Sequence, residues 1–410
     1  MQKLILMGMA LGGAAFIHAG LIAPAYASGV RMVVTNDDSS SANTTTLYRI
    51  KDNQLVPSLK LKTTIATGGV GDGDGFLEGQ QQAFVRSGGA SCLFISDAGS
   101  PDIAAINTST GLLVGNFRGS MNDDANPGGI SLLPSPDRKF LYAAYRPRAF
   151  GQGSPIAVFQ IGAGCGLSFV SDVRTFGSQG GGLEGMAARG NILVVGFGDG
   201  SIQSFRIRGS SLKSNHDQQN STGFVTHNTG LGPGSVQITN DGHFAVFGDL
   251  VSNRQGDFTE IEVSDISSGK LTPTVDYGGG NHSNGDLGAG ISSNSAVLSS
   301  DENHIYVSNV LSGQVTVLGF DPATGAVSPG CISTPLKGFG GGFDATGQIA
   351  AAGVENGKDV AWVAEDGNGG PSGIGILDIA FDGATCTVNE SPASPAGDPN
   401  SGNLRSLTAF

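Results

Sequence analysis

Cysteine is scarce. The chain of 410 residues has four, Cys92, Cys165, Cys331 and Cys386, with no Cys-x-x-Cys pair and no Cys/His spacing. That excludes a zinc site as the organising element. Charge is also sparse: Asp, Glu, Lys and Arg make up 14% of the chain, and 35 acids face 22 bases for a net charge of −13. Nucleic acid and anionic lipid surfaces are therefore excluded as partners. One Trp and six Tyr are too few for the aromatic girdles of an outer-membrane barrel. No serine lies in a G-x-S-x-G elbow and no H-E-x-x-H occurs, so two common hydrolase signatures are missing. Beyond the N-terminus, no apolar run is long enough to cross a membrane as a helix.

Glycine, in contrast, is abundant at 67 residues. The glycines lie between apolar runs, which marks turns and not disorder. Residues 1–27 read as a secretory signal. Lys3 is the positive region, Leu4 to Ala23 is apolar, and Ala25-Tyr26-Ala27 offers a cleavage site before Ser28. Its removal takes away Lys3 and no acid, leaving the mature domain, 28–410, slightly more acidic. An uncleaved anchor is the competing reading, disfavoured by the internal glycines and His18. In an exported chain, four cysteines predict two disulfides. Cys92 with Cys165 and Cys331 with Cys386 are the expected pairs, because each joins neighbouring repeats.

The repeat is clearest in residues 291–330. SNSAVLS, HIYVSN, QVTVLGF and AVSPGCI are four strands separated by SDEN, LSG and DPATG turns. Four antiparallel strands in about 40 residues make one propeller blade. Similar units begin near residues 75, 126, 181, 232 and 341. SPDRKFLYAAY, TNDGHFAVFGD and SSDENHIYVSN share a polar turn before an apolar strand, and NTSTG, ISSGK, FDGAT and DPATG match as hairpins. The unit near 181 has the least clear outer strand, because SNHDQQNS reads as loop. The first unit has three strands, in RMVVTND, TTTLYRIKD and LVPSLKL. The C-terminal SGNLRSLTAF reads as a lone first strand. Residues 403–410 are thus predicted to pair beside residues 31–36 and close the ring. The fold expected is all-β, a seven-bladed propeller of four-stranded antiparallel blades. A membrane barrel would need strict alternation, whereas FLYAAY, ILVVGF and HFAVFG are apolar on both faces.

SPDRKFLYAAY followed by IAVFQI, and SSDENHIYVSN followed by VTVLGFDPATG, resemble the seven-bladed lactonase family. That family includes propeller-type 6-phosphogluconolactonases, carboxymuconate-cyclase-like proteins and related YVTN-type surface repeats. The resemblance covers nearly all of the mature chain, and its motifs specify fold more than activity. Enzymes of the family often read Gly-Pro-Arg-His ahead of an innermost strand. This chain has Gly232-Pro233-Gly234-Ser235 there, and Gly128-Gly129 in the third unit. Without a basic cluster, a phosphate-ester substrate is not expected.

Aligned starts of the innermost strands put Glu78, Glu184, Asp344 and Arg405 at comparable positions. Converging carboxylates can hold a hard cation, or one can act as general base. Alternatively, each caps its own glycine-rich turn or pairs with Arg405. His282, in GGGNHSNGD, and Arg405 are the candidate base and oxyanion donor for lactone hydrolysis, with Glu184 beside them. Glu78 and Asp344 are candidate binding groups. Residues 71–78, GDGDGFLE, offer Asp72 and Asp74 as possible calcium ligands, although EF-hand spacing is lacking and a polar turn is the competing reading. Asn36-Asp37-Asp38 and Asn122-Asp123-Asp124 read as solvated turns. Asn43, Asn107, Asn220 and Asn389 open N-x-S/T sequons.

The reading is a monomeric, exported propeller that binds a small polar or lactone-type ligand, or a cell-envelope protein. It requires no cofactor, with calcium the one candidate ion. Lactone hydrolysis or cyclisation outside the cytoplasm is the alternative, and a structural envelope repeat is the second.

Overall fold

The computed structural model describes residues 32–51, 58–71, 81–87, 89–119, 125–147, 154–175, 183–197, 201–216, 219–220, 233–249, 261–277, 293–309, 312–337, 348–353, 359–365, 373–382, 385–396 and 406–409. Strands form where runs of Val, Ile, Leu and aromatic residues are interrupted by turn residues. Blade 1 contains β1 (Met32–Asn36), β2 (Thr44–Lys51) and β3 (Ser58–Ala66). Blade 2 contains β4 (Gln82–Ser87), β5 (Ala90–Asp97), β6 (Asp102–Asn107) and β7 (Leu112–Phe117). Blade 3 contains β8 (Ala125–Pro134), β9 (Phe140–Pro147), β10 (Pro155–Ile161) and β11 (Leu167–Arg174). Blade 4 contains β12 (Leu183–Arg189), β13 (Ile192–Phe197), β14 (Ser201–Arg208), β15 (Ser211–Ser214) and the short β16 (Gln219–Asn220). Blade 5 contains β17 (Pro233–Ile238), β18 (Phe244–Asp249), β19 (Ile261–Asp265) and β20 (Thr272–Tyr277). Blade 6 contains β21 (Ser293–Leu298), β22 (His304–Asn309), β23 (Gln314–Phe320) and β24 (Val327–Ile332). Blade 7 contains β25 (Ile349–Gly353), β26 (Asp359–Glu365), β27 (Gly373–Asp382) and β28 (Thr385–Glu390). The last strand, β29 (Ser406–Ala409), returns to blade 1.

These strands make seven separate antiparallel sheets, so the barrel alternative falls. In blade 1 the order is β29-β1-β2-β3, with Val33 opposite Ala409 and Asn36 opposite Ser406. The C-terminal strand therefore completes the first blade as expected, covering the edge of β1 that would otherwise be left without its inner partner. The innermost strands β29, β4, β8, β12, β17, β21 and β25 each touch the next around a closed circle.

The core does not sit at the centre. It is divided into seven apolar clusters, one in each seam between neighbouring blades. This explains the doubly apolar second strands. Every residue of β13, ILVVGF, is buried because each face packs on a different neighbour. Burying one such Val, Leu or Ile is worth about 1.5–3 kcal/mol. Two disulfides cross seams, Cys92–Cys165 with Cα atoms 5.3 Å apart and Cys331–Cys386 with Cα atoms 5.7 Å apart. Both are the expected pairs.

The shared turn motif has one hydrogen-bonding scheme. In blade 6 the Ser299 hydroxyl donates to Asp301 Oδ1 at 2.6 Å, and that oxygen accepts Asn303 N–H at 3.1 Å. The His304 N–H donates to Ser299 Oγ at 3.0 Å. Ser135, Asp137 and Lys139 repeat the scheme in blade 3, as do Thr239, Asp241 and His243 in blade 5. The residue after each aspartate has positive φ: Arg138 at 60°, Gly242 at 77° and Glu302 at 58°.

Several expectations change. The first strands of blades 2 and 7 begin at Gln82 and Ile349, later than the sequence units that start near residues 75 and 341. In blade 4 both β15 and β16 pair with β14, so the outer position is split between two short strands. Asn36, Asp37 and Asp38 are not a solvated turn: they are 0%, 8% and 2% exposed. Asn36 and Asp37 bury with polar partners at hand, Asn43 for Asn36 and Thr44 for Asp37. The companion turn at residues 122–124 lies outside the described residues. Asn43 is 1% exposed, with its amide inside the same network, so its sequon is closed to a glycan.

Candidate functional site

The circle of innermost strands encloses an axial cavity of about 350 Å³. Its wall is mostly strand edge, with polar side chains from Gln82, Ser235, Gln237, Ser295, Gln348 and Thr408. Backbone positions four residues after Glu78 and Asp344, and one after Arg405, meet at its leading face, where the chain comes into each innermost strand. There, Ser406 Oγ lies 2.8 Å from the Gln82 amide oxygen and 2.9 Å from that of Gln348. A hydroxyl has one proton, so one glutamine amide turns to donate back. Gln82 Nε2 also donates to the Ser406 carbonyl at 3.0 Å, which assigns Gln82 as acceptor and Gln348 as the turned amide. Blades 1, 2 and 7 are thereby knotted at the axis. All three side chains are buried.

The opposite, trailing end carries the charge. Among the described residues lining the cavity, Arg189 and Glu302 are the charged ones. Arg189 donates to Asn240, both to its side-chain oxygen at 3.1 Å and to its carbonyl. Asn240 N–H donates to Glu302 Oε1 at 2.7 Å. Burial raises the Glu302 carboxyl above its usual value, and the Asn240 N–H opposes that. One blade along, Ser300 N–H and the Tyr306 hydroxyl donate to Asp359 Oδ2 at 3.1 and 2.7 Å. The turns of blades 4 to 7 are thus linked hand to hand around the trailing face. Both charges of the wall are engaged with protein groups, which leaves amides and hydroxyls facing the cavity.

A second polar centre lies in the seam between blades 1 and 2. Asp97 has no exposure. Its Oδ1 accepts the Thr67 hydroxyl at 2.6 Å and Asn43 Nδ2 at 2.8 Å. Asn43 also donates to Asn36 Oδ1, and Asn36 donates to Gln81 Oε1, both at 2.8 Å. Desolvation pushes the Asp97 carboxyl up to about 6, against the pull of the Thr67 and Asn43 donors. The backbone of Gly69 passes so close that a Cβ there would sit 2.5 Å from Asp97 Oδ2. Glycine is required at that position by the approach alone.

Glu78, Asp72, Asp74, His282, Asp344 and Arg405 lie outside the described residues. The backbone of Glu184 is in β12, between Leu183 and Gly185 where the ladder register shifts, and its side chain lies outside the described set. Among the described residues, no group of three His, Cys, Asp or Glu side chains is placed to hold a metal ion. The residues missed from the sequence are Gln82, Gln348, Ser406 and Asp97. A signal existed for Asp97: second strands end in a polar residue in blades 1, 2, 5, 6 and 7, at Asn36, Asp97, Asp249, Asn309 and Glu365.

Comparison with known proteins agrees with this architecture. The family profile described as Lactonase, 7-bladed beta-propeller matches residues 121–389. No curated protein sequence matches the chain. Among solved structures, a protein of unknown function from Desulfotomaculum acetoxidans is 12% identical with a TM-score of 0.60, covering 92% of this chain and 98% of its own. The periplasmic gluconolactonase of Pseudomonas aeruginosa is 15% identical with a TM-score of 0.53, covering 73% of this chain and 80% of its own. A candidate 6-phosphogluconolactonase of Bacteroides fragilis is 14% identical with a TM-score of 0.53, covering 74% and 80%. At such identities the likeness is one of fold. The profile match spans more than half of the chain, which therefore belongs to the seven-bladed β-propeller lactonase family.

Proposed function

We propose that this protein is an exported propeller whose axial channel binds a small, uncharged, polar ligand of the lactone or sugar type. The observation that carries the reading is the wall of the cavity. Its described uncharged polar groups are amides and hydroxyls, Gln237 and Thr408 among them, while Arg189 and Glu302 are already held through Asn240. Such a lining suits hydroxyl and ester oxygens, and among the described residues no unengaged cation is placed to balance a phosphate. The volume, about 350 Å³, lies at the small end of ligand sites. Export is supported by the two disulfides, which persist in oxidising compartments.

Family membership favours a second reading, hydrolysis of an uncharged lactone outside the cytoplasm. In that reading Glu184, His282 and Arg405 supply base and oxyanion stabilisation, and Glu78 and Asp344 bind. Asp72 and Asp74 would hold calcium if an ion takes part. One experiment separates the two. The mature protein is titrated with a panel of sugar lactones by calorimetry, and acid release is followed in parallel, with calcium or with a chelator. Binding without acid release supports the binding module. Acid release that Glu184→Gln or His282→Ala abolishes supports the hydrolase. No binding and no release across the panel overturns both.

A further inference from the structure

The seven blades act as internal controls for one another, and one outer strand stands apart. The outermost strand of a blade has an unpaired edge, which proteins protect with charge, proline or a bulge. Charge or proline is present in six of the seven: Lys60 and Lys62 in β3, Asp172 and Arg174 in β11, Lys213 in β15, Pro273 in β20, Pro329 in β24 and Glu390 in β28. β7, LLVGNF, has neither. Bulges do not make up the difference. The ladder slips by one residue at Lys62, Val114, Val170 and Thr274 alike, so this device is common to the edges of blades 1, 2, 3 and 5.

Register makes the comparison sharper. Leu112 and Val114 of β7 occupy the positions of Lys60 and Lys62 in β3, of Ser168 and Val170 in β11 and of Thr272 and Thr274 in β20. Blade 2 alone among these four is apolar at both. These side chains are uncovered: Leu112 is 65% exposed, Val114 43% and Leu113, between them, 38%. Among the described residues, no strand pairs with the outer side of β7.

We propose that β7 is a docking edge for an extended, uncharged or basic segment of another protein, added to blade 2 as a fifth strand. Main-chain hydrogen bonds would supply most of the affinity, and alternate side chains would cover Leu112 and Val114. Charge chooses this occupant: each copy of the chain carries −13, which disfavours a second copy and an acidic segment and favours a basic one. This site is independent of the axial channel.

The test uses a fluorescein-labelled peptide of alternating valine and threonine with a lysine at each end, followed by anisotropy with the full mature chain. Leu112→Lys with Val114→Lys transplants the protection that blade 1 carries. Thr272→Lys with Thr274→Lys makes the same change in charge on blade 5. Leu112→Thr with Val114→Thr removes apolar surface without adding charge. The proposal expects the peptide to bind the wild type and the blade 5 variant equally. The lysine pair in β7 should lose at least tenfold in affinity, and the threonine pair severalfold, with melting temperatures unchanged. No binding to the wild type, or equal binding to the lysine pair in β7, overturns it. So does a wild-type dimer in sedimentation that the β7 lysine pair dissociates, because the occupant would then be a second copy.

Discussion

Replacing Asp97 by Asn isolates one buried carboxyl and gives a pH signature. Asp97 is fully covered and accepts from Thr67 and Asn43 on Oδ1, and among the described residues the donor to Oδ2 is Asn116 Nδ2, at 3.4 Å. Burial raises its pKa from 3.8 to about 6. The folded protein therefore holds this proton more tightly than the unfolded chain. The resulting stability is complete below pH 3.8 and is lost as pH rises to about 6. At about 1.4 kcal/mol per pH unit the loss is about 3 kcal/mol. Asparagine keeps an oxygen for both donors, never ionises, and gives up only the long Asn116 contact. Urea unfolding of both proteins at pH 4, 5, 6 and 7 measures the difference, because the remaining carboxyls titrate alike in each. The variant should gain about 2.5 kcal/mol relative to wild type between pH 4 and pH 7, with the change centred between pH 4 and 6. A difference that stays constant across the range would refute the assignment of a raised pKa to Asp97.

Deleting residues 403–410 removes β29 and the Ser406 knot, so the truncated protein should aggregate or lose its cooperative melt; a melt like that of the full chain would contradict ring closure. Graded reduction with alkylation and mass spectrometry should open Cys331–Cys386, whose residues are half-buried, before Cys92–Cys165, whose residues have no exposure. Each bridge closes a loop of 55 or 73 residues, worth about 4 kcal/mol by chain entropy, and simultaneous opening would contradict the difference in access. Arg138 is exposed with φ of 60°, so Arg138→Gly should stabilise blade 3 by about 1 kcal/mol in denaturant melts. A loss of stability there would mean that the arginine side chain has a role of its own.

The ring was legible because each blade writes the same signals in local sequence. The SPDRK, TNDGH and SSDEN turns encode their own hydrogen bonds through Ser or Thr, Asp and the positive-φ residue. The disulfides followed from blade neighbourhood alone. The channel was harder to read for a physical reason. Its wall is built from Gln82, Gln348 and Ser406, which are far apart in sequence and unremarkable one at a time; only ring closure makes them partners. Asn36, Asp37 and Asp38 misled because an acidic turn reads as solvated unless its donors are known. Those donors, Asn43 and Thr44, sit just before and at the start of β2, while Asp97, which shares Asn43 with Asn36, comes from the next blade. Glu78, Asp344, Arg405 and the Glu184 side chain lie outside the described residues, and the described charge of the wall, Arg189 and Glu302 at the trailing end, had no signal in the aligned strand starts.

Calorimetric titration of the wild type and of Gln237→Trp with the same neutral sugar lactones tests the channel reading most directly. Gln237 is half-buried, lines the cavity and projects from β17. An indole there would occupy much of a volume of about 350 Å³. The account predicts one site per chain in the wild type, little dependence on salt because no ion pair forms, and no detectable binding to a variant that still melts cooperatively. Undiminished binding to the folded variant, or wild-type affinity that collapses with salt, would contradict a neutral ligand held in the axial channel.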